Sequence, residues 1–171
     1  GRNIYNLLDA YQDLLETNPV FKKNTEFVLR LRGQDNIRLT EKYKKTDNII
    51  VLDTLNFSNS AYEQKHDADI NIILENGPVY CNILVGKAPF LASFNKPILT
   101  ISPLRSELRK IIKDEKYIAN MNDKEEIKNK LENLIVGSLN NEKFENPFGG
   151  YFSDENFKLK LDDVLLNSDT K

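Results

Sequence analysis

The chain has few of the side chains that build disulfides and histidine-based sites. Its 171 residues include one cysteine, Cys81, which excludes an internal disulfide and favours a reducing compartment. The single histidine, His66, excludes a His-based metal site or catalytic triad. Cys81 has no histidine partner within reach in the sequence, so we expect a buried, inert thiol rather than a nucleophile.

Long apolar runs and an excess of charge are also missing. No run approaches the roughly 20 apolar residues that span a bilayer. The 24 basic and 26 acidic residues give a net charge of −2, so no general affinity for nucleic acid is implied. With 40% hydrophobic and 29% charged residues, the composition is that of a globular protein, and we expect it to be cytoplasmic.

Apolar runs alternate with amphipathic segments along the chain. Runs rich in β-branched residues and leucine predict strands at 26–31, 48–52, 69–74, 97–101 and 117–119. Periodic or capped segments predict helices at 4–17, 35–45, 58–66, 88–94, 106–113 and 124–135. This alternation predicts an α/β fold with a mainly parallel sheet flanked by helices.

A linker-like stretch, residues 145–150 (ENPFGG), separates the end of the chain from the rest. Ser153 then caps a last helix with apolar residues on one face. We therefore predict a Rossmann-like domain over residues 1–145, with a linker and a C-terminal helix over 146–171 that packs back on it.

Residues 69–101 form the best-defined unit, read as strand, polar loop, helix and strand. In open parallel sheets, ligands bind beyond the carboxyl ends of the strands. Glu75, Asn82, Gly86 and Lys87 fall at that end. Lys87 begins a helix led by Gly86, where an ammonium group beside a helix dipole suits phosphate. This is the predicted site.

The first predicted helix also offers a cation beside its start. Its first turn holds Arg2 and no acidic residue, which leaves N–H groups and a positive dipole end suited to phosphate. Arg2 is therefore a second candidate for binding a diphosphate.

Three pieces of the central unit resemble a known family when taken together. They are ADINIILE at 68–75, GKAP at 86–89 and FNKPIL at 94–99. Their order and spacing resemble the ADxNIxLE, GKxP and ANKPIL segments in the donor-binding half of GT-B-fold glycosyltransferases (group 1, glycogen-phosphorylase-like superfamily). Residues 1–8, GRNIYNLL, resemble the start of that family's C-terminal domain.

The resemblance implies a domain that binds a nucleotide-sugar donor whose sugar is moved to an acceptor. In that family, a basic residue at the position of Lys87 contacts the donor diphosphate, and an acidic residue at the position of Glu75 faces the donor sugar. The resemblance therefore implies that Lys87 and Glu75 are catalytic residues. Asn56 and Phe57 lie where the family holds the base, while Asn82 supplies a polar contact. No cofactor or divalent metal is implied, because basic side chains and a helix dipole neutralise the diphosphate.

Two departures from the family pattern follow. Phe90 stands near the position of the acid that normally holds the ribose hydroxyls. The resemblance also implies that the first strand and an N-terminal acceptor-binding domain lie outside this sequence, so the chain alone should bind nucleotide and transfer nothing. We expect the neighbouring strands either to pair directly or to be covered by a partner chain. Peripheral membrane association through the acceptor domain, and self-association, are left open.

Other functions are compatible with parts of the sequence. Asp53 after a strand, with Lys96 later, is similar to a phospho-accepting receiver domain or another non-enzymatic α/β module, although no strand exits into the acidic pair that a receiver needs. Asp67-Ala68-Asp69 has the D-x-D spacing of a metal–diphosphate site, but it precedes a strand instead of following one. A nucleotide-sugar epimerase of the same fold is the nearest alternative enzyme.

Overall fold

A computed structural model describes residues 3–77 and 79–168, in which helices alternate with short strands. The helices are α1 (Tyr5–Thr17), α2 (Pro19–Asn24), α3 (Gln34–Tyr43), α4 (Phe57–Tyr62, continued by a π-helical turn, Glu63–Asp67), α5 (Lys87–Ala92), α6 (Glu107–Ile111), α7 (Lys124–Leu139) and α8 (Asp154–Ser168). The strands are β1 (Phe27–Leu31), β2 (Ile49–Asp53), β3 (Asn71–Leu74), β4 (Tyr80–Cys81), β5 (Ile98–Ser102), β6 (Arg105–Ser106) and β7 (Ile118–Asn120). Among the described residues, no helix is long and apolar enough to cross a membrane.

All strand pairs are parallel, which confirms the predicted α/β class and is consistent with a Rossmann-like fold. β1 pairs with β2, and β5 lies between β3 and β7. A further two-stranded pair joins β4 to β6. Every residue of β5 is buried, as expected for a central strand that is covered on both faces.

Several helix ends follow the capping chemistry visible in the sequence. The Asn18 side chain caps α2, which begins with Pro19. Asp123 Oδ1 accepts from the N–H of Glu126 at 2.9 Å, whereas the Glu126 carboxylate accepts from the N–H of Asn120 rather than completing a capping box. The fourth helix begins after Asn56, not after Ser58 or Ser60 as predicted, because the Asn56 side chain accepts from the N–H of Asn59 at 2.9 Å.

Helix α1 connects the two main sheet pieces. Its buried face is the predicted one: Leu7, Leu8, Tyr11, Leu14 and Leu15, with Ala10. On one side, its Asp9 binds Tyr43 Oη at 2.6 Å and Lys42 Nζ at 2.9 Å, both on α3. On the other side, Asn6 Nδ2 donates to the carbonyl of Met121 at 2.9 Å, just after β7.

Strands β1 and β3 do not pair with each other, so the first of the two expected alternatives, direct pairing of neighbouring strands, is wrong within the described residues. A cavity of about 960 Å³ lies between them, lined by residues 25–30 on one side and 67–72 on the other. We call this cavity the slot. Side chains of α1, α7, α4 and the π-helical turn also line it.

The C-terminal helix α8 does not pack back on the domain. Phe148, in the linker before it, is buried, and its ring lies 5.2 Å from that of Phe152. Beyond this anchor the apolar side chains of α8 are exposed: Phe157, Leu159, Leu161, Val164, Leu165 and Leu166. Within the part of the chain that the structure describes, α8 therefore buries no apolar face.

The contact of Asp9 with α3 predicts a pH-dependent stability. Burial would raise the pKa of the Asp9 carboxyl, but the hydrogen bonds from Tyr43 and Lys42 outweigh it and lower the pKa below its usual value. A lowered folded-state pKa stabilises the protein above the unfolded-state pKa, and the gain is lost as the pH falls through the folded-state pKa. Asp9→Asn should cost about 0.5–1 kcal/mol at pH 7, because the side chain is partly exposed.

Urea unfolding from about pH 7 to pH 2 measures this effect. Wild type should lose stability more steeply than Asp9→Asn below about pH 5. Asp47→Asn, at an exposed loop position, is the matched control and should stay within about 0.5 kcal/mol of wild type. Parallel pH profiles for wild type and Asp9→Asn would contradict the proposed contact.

Candidate functional site

The carboxyl ends of β1, β2 and β3 meet at one rim of the slot. Arg32 follows β1 and Thr54 follows β2, and Arg32 Nε donates to Thr54 Oγ1 at 2.7 Å. Both residues line the slot together with Lys87, the first residue of α5. The rim therefore places two cationic side chains at one opening. Arg32 was not among the predicted site residues, although its position directly after a strand was visible in the sequence.

Lys87 begins α5, as the sequence predicts, but the backbone conformation at Gly86 does not require a glycine. Lys87 is exposed, and within residues 3–77 and 79–168 its ammonium group has no ion pair. Gly86 has φ −60° and ψ −16°, which any residue adopts. A Cβ atom added at Gly86 would meet nothing within 4 Å, so the glycine leaves open space beside Lys87.

Phe57 and Asn56 have different surroundings. The Asn56 side-chain oxygen already caps α4, which reduces what it can offer a base. Phe57 is 75% exposed, and its ring centroid lies 5.3 Å from that of Phe90. Phe90 in turn contacts Phe94, with centroids 4.6 Å apart. The exit of β2 and the helix after β3 thus meet through an aromatic pair, with the Phe57 ring open to solvent.

Glu75 is fully buried, which differs from the expected position facing a sugar. Its backbone N–H donates to the carbonyl of Ile101 at 3.0 Å, continuing the β3–β5 ladder by one residue. Both carboxylate oxygens lack a hydrogen-bond partner among the described residues, as does the hydroxyl of buried Thr100. Glu75 lines neither the slot nor the smaller cavity beside β4. In this conformation its carboxylate does not reach a ligand at the rim.

Asn82 lies apart from the rim. It lines a separate depression of about 340 Å³ with Tyr80 and Cys81. Cys81 is buried, as predicted, and its thiol donates to the carbonyl of Ile83 at 3.5 Å. Asn82 and Lys87 therefore line different cavities, although they are only five positions apart in sequence. Arg2, the other predicted cation, lies outside the described residues.

The receiver-like alternative loses its geometric basis. Asp53 ends β2 and lies at the carboxyl end of the sheet. Lys96 precedes β5 at the opposite end, where its ammonium group donates to the carbonyl of Ala68, ahead of β3. An aspartate and a lysine at opposite ends of the strands cannot share one phosphoryl group.

The remaining candidate ligands form no metal site among the described residues. No group of three or more His, Cys, Asp or Glu side chains is arranged to hold a metal ion there. The His66 ring packs against that of Tyr62 at 4.5 Å. Asp67 and Asp69 precede β3, as the sequence predicted.

No protein-family description matches the chain, and no curated protein resembles it closely enough to be named as a relative. The geometry above is therefore the basis for a functional proposal.

The buried polar atoms of Glu75 and Thr100, which have no partner among the described residues, predict an unusual response to substitution. A buried carboxylate without a partner destabilises the fold, so Glu75→Met should raise the free energy of unfolding by about 1–3 kcal/mol. Thr100→Val should raise it by about 1 kcal/mol for the same reason. Denaturant unfolding at pH 7 measures both changes.

The neighbouring Ser102 supplies the matched control. It is equally buried, but its hydroxyl donates to the carbonyl of Pro103 at 3.0 Å. Ser102→Ala should therefore lower stability by about 1 kcal/mol. If Glu75→Met lowered stability as well, the Glu75 carboxylate would have a partner in solution and the reading of its environment would be wrong.

Proposed function

We propose that this chain is the nucleotide-sugar-binding domain of a GT-B-type glycosyltransferase and that it binds the donor at the slot rim. The observation that carries the proposal is the meeting of Phe57 and Phe90 beside Lys87. Phe90 lies three residues after Lys87 on α5, so the two side chains are neighbours on one helix surface. The exposed Phe57 ring is thus linked through Phe90 to the surface that carries Lys87, whose ammonium group has no ion pair among the described residues. Lys87 lines the slot, and Phe57 lies beside it, outside the lining.

These two groups match the two ends of a nucleoside diphosphate. The open face of Phe57 offers a stacking surface for a base, and such stacking tolerates different bases. Lys87 offers a positive charge for the diphosphate, and Arg32 adds a second one on the other side of the slot. The ligand would then lie across the carboxyl ends of the strands, where open α/β sheets generally bind ligands.

In glycosyl transfer, the departing nucleoside diphosphate gains negative charge as its bond to the sugar breaks. A nearby cation interacts more strongly with this developing charge than with the intact donor, and the difference lowers the barrier. We assign this role to Lys87, and protein cations can fill it without a divalent metal. The acceptor and the group that removes its proton would come from an acceptor-binding domain outside this sequence. The chain alone should therefore bind nucleotide without transferring sugar.

The proposal does not depend on Glu75. Its expected contact with the donor sugar requires a conformation in which the carboxylate is uncovered, since it is fully buried here. Lys87, Arg32 and Phe57 need no such change, because all three are exposed. Donor binding is therefore assigned first to these three side chains.

Thermal unfolding of the chain with UDP, GDP, CDP or ADP, each without metal, tests nucleotide binding. A ligand present at 100 times its Kd adds about 2.7 kcal/mol of stability, which corresponds to roughly 5–10 °C in Tm for a domain of this size. Lys87→Ala should weaken binding of the preferred nucleotide by about 10–100-fold, because it removes a charged hydrogen bond. The absence of a shift with all four nucleotides would contradict the proposal.

Lys113→Ala is the matched control for this experiment. Lys113 is also exposed, but it lies between α6 and β7, at the amino end of the sheet. Its replacement should leave the nucleotide affinity unchanged. Equal losses in Lys87→Ala and Lys113→Ala would indicate nonspecific charge attraction and not a site at the rim.

Phe57→Ala tests the stacking surface separately. Because Phe57 is largely exposed, its removal should change the Tm of the free protein little. Loss of a stacking ring should weaken nucleotide binding by about 1–3 kcal/mol, while inorganic diphosphate should bind as before. Phe57→Tyr, measured beside it by calorimetry, should retain most of the affinity. Unchanged nucleotide binding in Phe57→Ala would place the base elsewhere.

A further inference from the structure

We propose that the slot is the binding place of one more parallel strand, inserted between β1 and β3 and leading directly into α1. This inference is independent of nucleotide binding, since it rests on the unpaired strand edges and on the elements around them. The proposed strand would join the two main sheet pieces into one sheet of six strands, ordered β2-β1-inserted strand-β3-β5-β7.

The slot lies along the edges of β1 and β3. Successive side chains of a strand point to opposite faces, so a cavity above one face contacts alternate residues. Here the slot is lined by consecutive residues, 25–30 beside β1 and 67–72 beside β3. It therefore runs beside the backbones. Within the described residues, both of these edges lack a pairing strand, and a buried unpaired backbone group is costly.

Both faces of the slot are covered. The Phe27 ring lies 5.4 Å from Tyr11 of α1, which places this face of β1 toward α1. On the opposite face, Arg30 Nε binds the Glu63 carboxylate at 2.6 Å, and Asn71 Nδ2 donates to the carbonyl of Gln64 at 3.1 Å. The π-helical turn thus spans the slot from β1 to β3. The space between the two covered faces is therefore the thickness of one sheet layer.

The two strands beside the slot determine the direction of its occupant. Arg32 and Lys87 line the slot at the carboxyl ends of the strands, and Lys22 and Asp69 line it at the amino ends. Strands β1 and β3 therefore run the same way along the slot. A strand that pairs in parallel with both needs about five residues, or roughly 17 Å, to match β1.

The side chains that line the slot indicate the chemistry of its occupant. On the α1 side the slot is lined by apolar side chains, among them Leu7, Leu131 and Ile135. On the opposite side it is lined by Ser60, Glu63 and Gln64. An inserted strand should therefore alternate β-branched apolar residues, facing α1 and α7, with small or polar residues facing the π-helical turn.

The position of α1 identifies the source of the strand. Asn6, near the start of α1, contacts Met121 at the carboxyl end of β7. Farther along α1, Tyr11 Oη lies 2.7 Å from Thr25 Oγ1, just before β1 begins. Helix α1 therefore starts at the carboxyl end of the slot and runs back antiparallel to the strands. A parallel strand in the slot ends beside this start, where a short βα loop connects the two.

The test adds a six-residue strand of alternating Val and Thr before residue 1, joined by a short Gly-Asn loop. The matched control carries the same residues with prolines at the second and fourth positions, which removes backbone donors. Amide hydrogen exchange of β1 and β3, together with Tm, gives the result. The strand should slow exchange in both β1 and β3 by about tenfold or more and raise Tm by about 5 °C. The proline control should do neither.

Four outcomes would overturn the proposal. Equal behaviour of strand and proline control would show that no ladder forms. Protection of β1 without β3 would show an added edge strand instead of an inserted one. Protection by the free hexapeptide, but not by the attached one, would assign the slot to a separate chain. A dimer of the unextended chain in which both edges are protected would make a second copy the occupant.

Discussion

The packing of α1 across two separate sheet pieces is the constraint on which the rest of the structure depends. Fully burying a leucine is worth about 1.5–3 kcal/mol, and α1 buries Leu7, Leu8, Leu14 and Leu15. Its polar contacts, through Asp9 and Asn6, are worth about 1 kcal/mol each. The apolar face therefore supplies most of the attachment, and the polar contacts determine how α1 is oriented. In an ordinary sheet a ladder of backbone hydrogen bonds would hold these pieces together.

The geometry of the candidate site follows from this arrangement. Phe57 belongs to the segment after β2, whereas Lys87 and Phe90 belong to the helix after β3. The pieces carrying them are joined by helix packing, the Arg30–Glu63 ion pair and the Asn71–Gln64 hydrogen bond. The distance between the Phe57 ring and the Lys87 ammonium group thus depends on side-chain packing farther down the strands. A strand in the slot would fix that distance by backbone pairing, which varies little with sequence.

The sequence predicted the parts of the fold that depend on local pattern. The strand β5, the buried face of α1 and the Asp123 cap of α7 all lie where expected. Burial of Glu75 could not be predicted, because it depends on what covers the end of β3 and not on the residues beside it. The contact of Phe57 with Phe90 joins residues 33 positions apart, so no local signal announces it. The exposed apolar residues of α8 show the reverse case, since periodicity predicts a helix but not the surface that receives it.

Glu75 and Thr100 both break the rule that buried polar groups find partners, since neither has one within residues 3–77 and 79–168. Glu75 directly follows β3, and Thr100 lies within the adjacent strand β5. Asn71 is on the same face of β3 as Glu75, and its side chain contacts the π-helical turn. By the usual right-handed crossover, α4 and α5 cover this same face. Leaving both groups unpaired costs on the order of 1–3 kcal/mol each, a large fraction of a domain's total stability. Replacing both residues with an apolar pair of similar shape would remove that cost. The rest of the core is already built mainly from buried apolar residues. Such local exceptions are expected at functional sites, and this one lies under the helix that begins with Lys87.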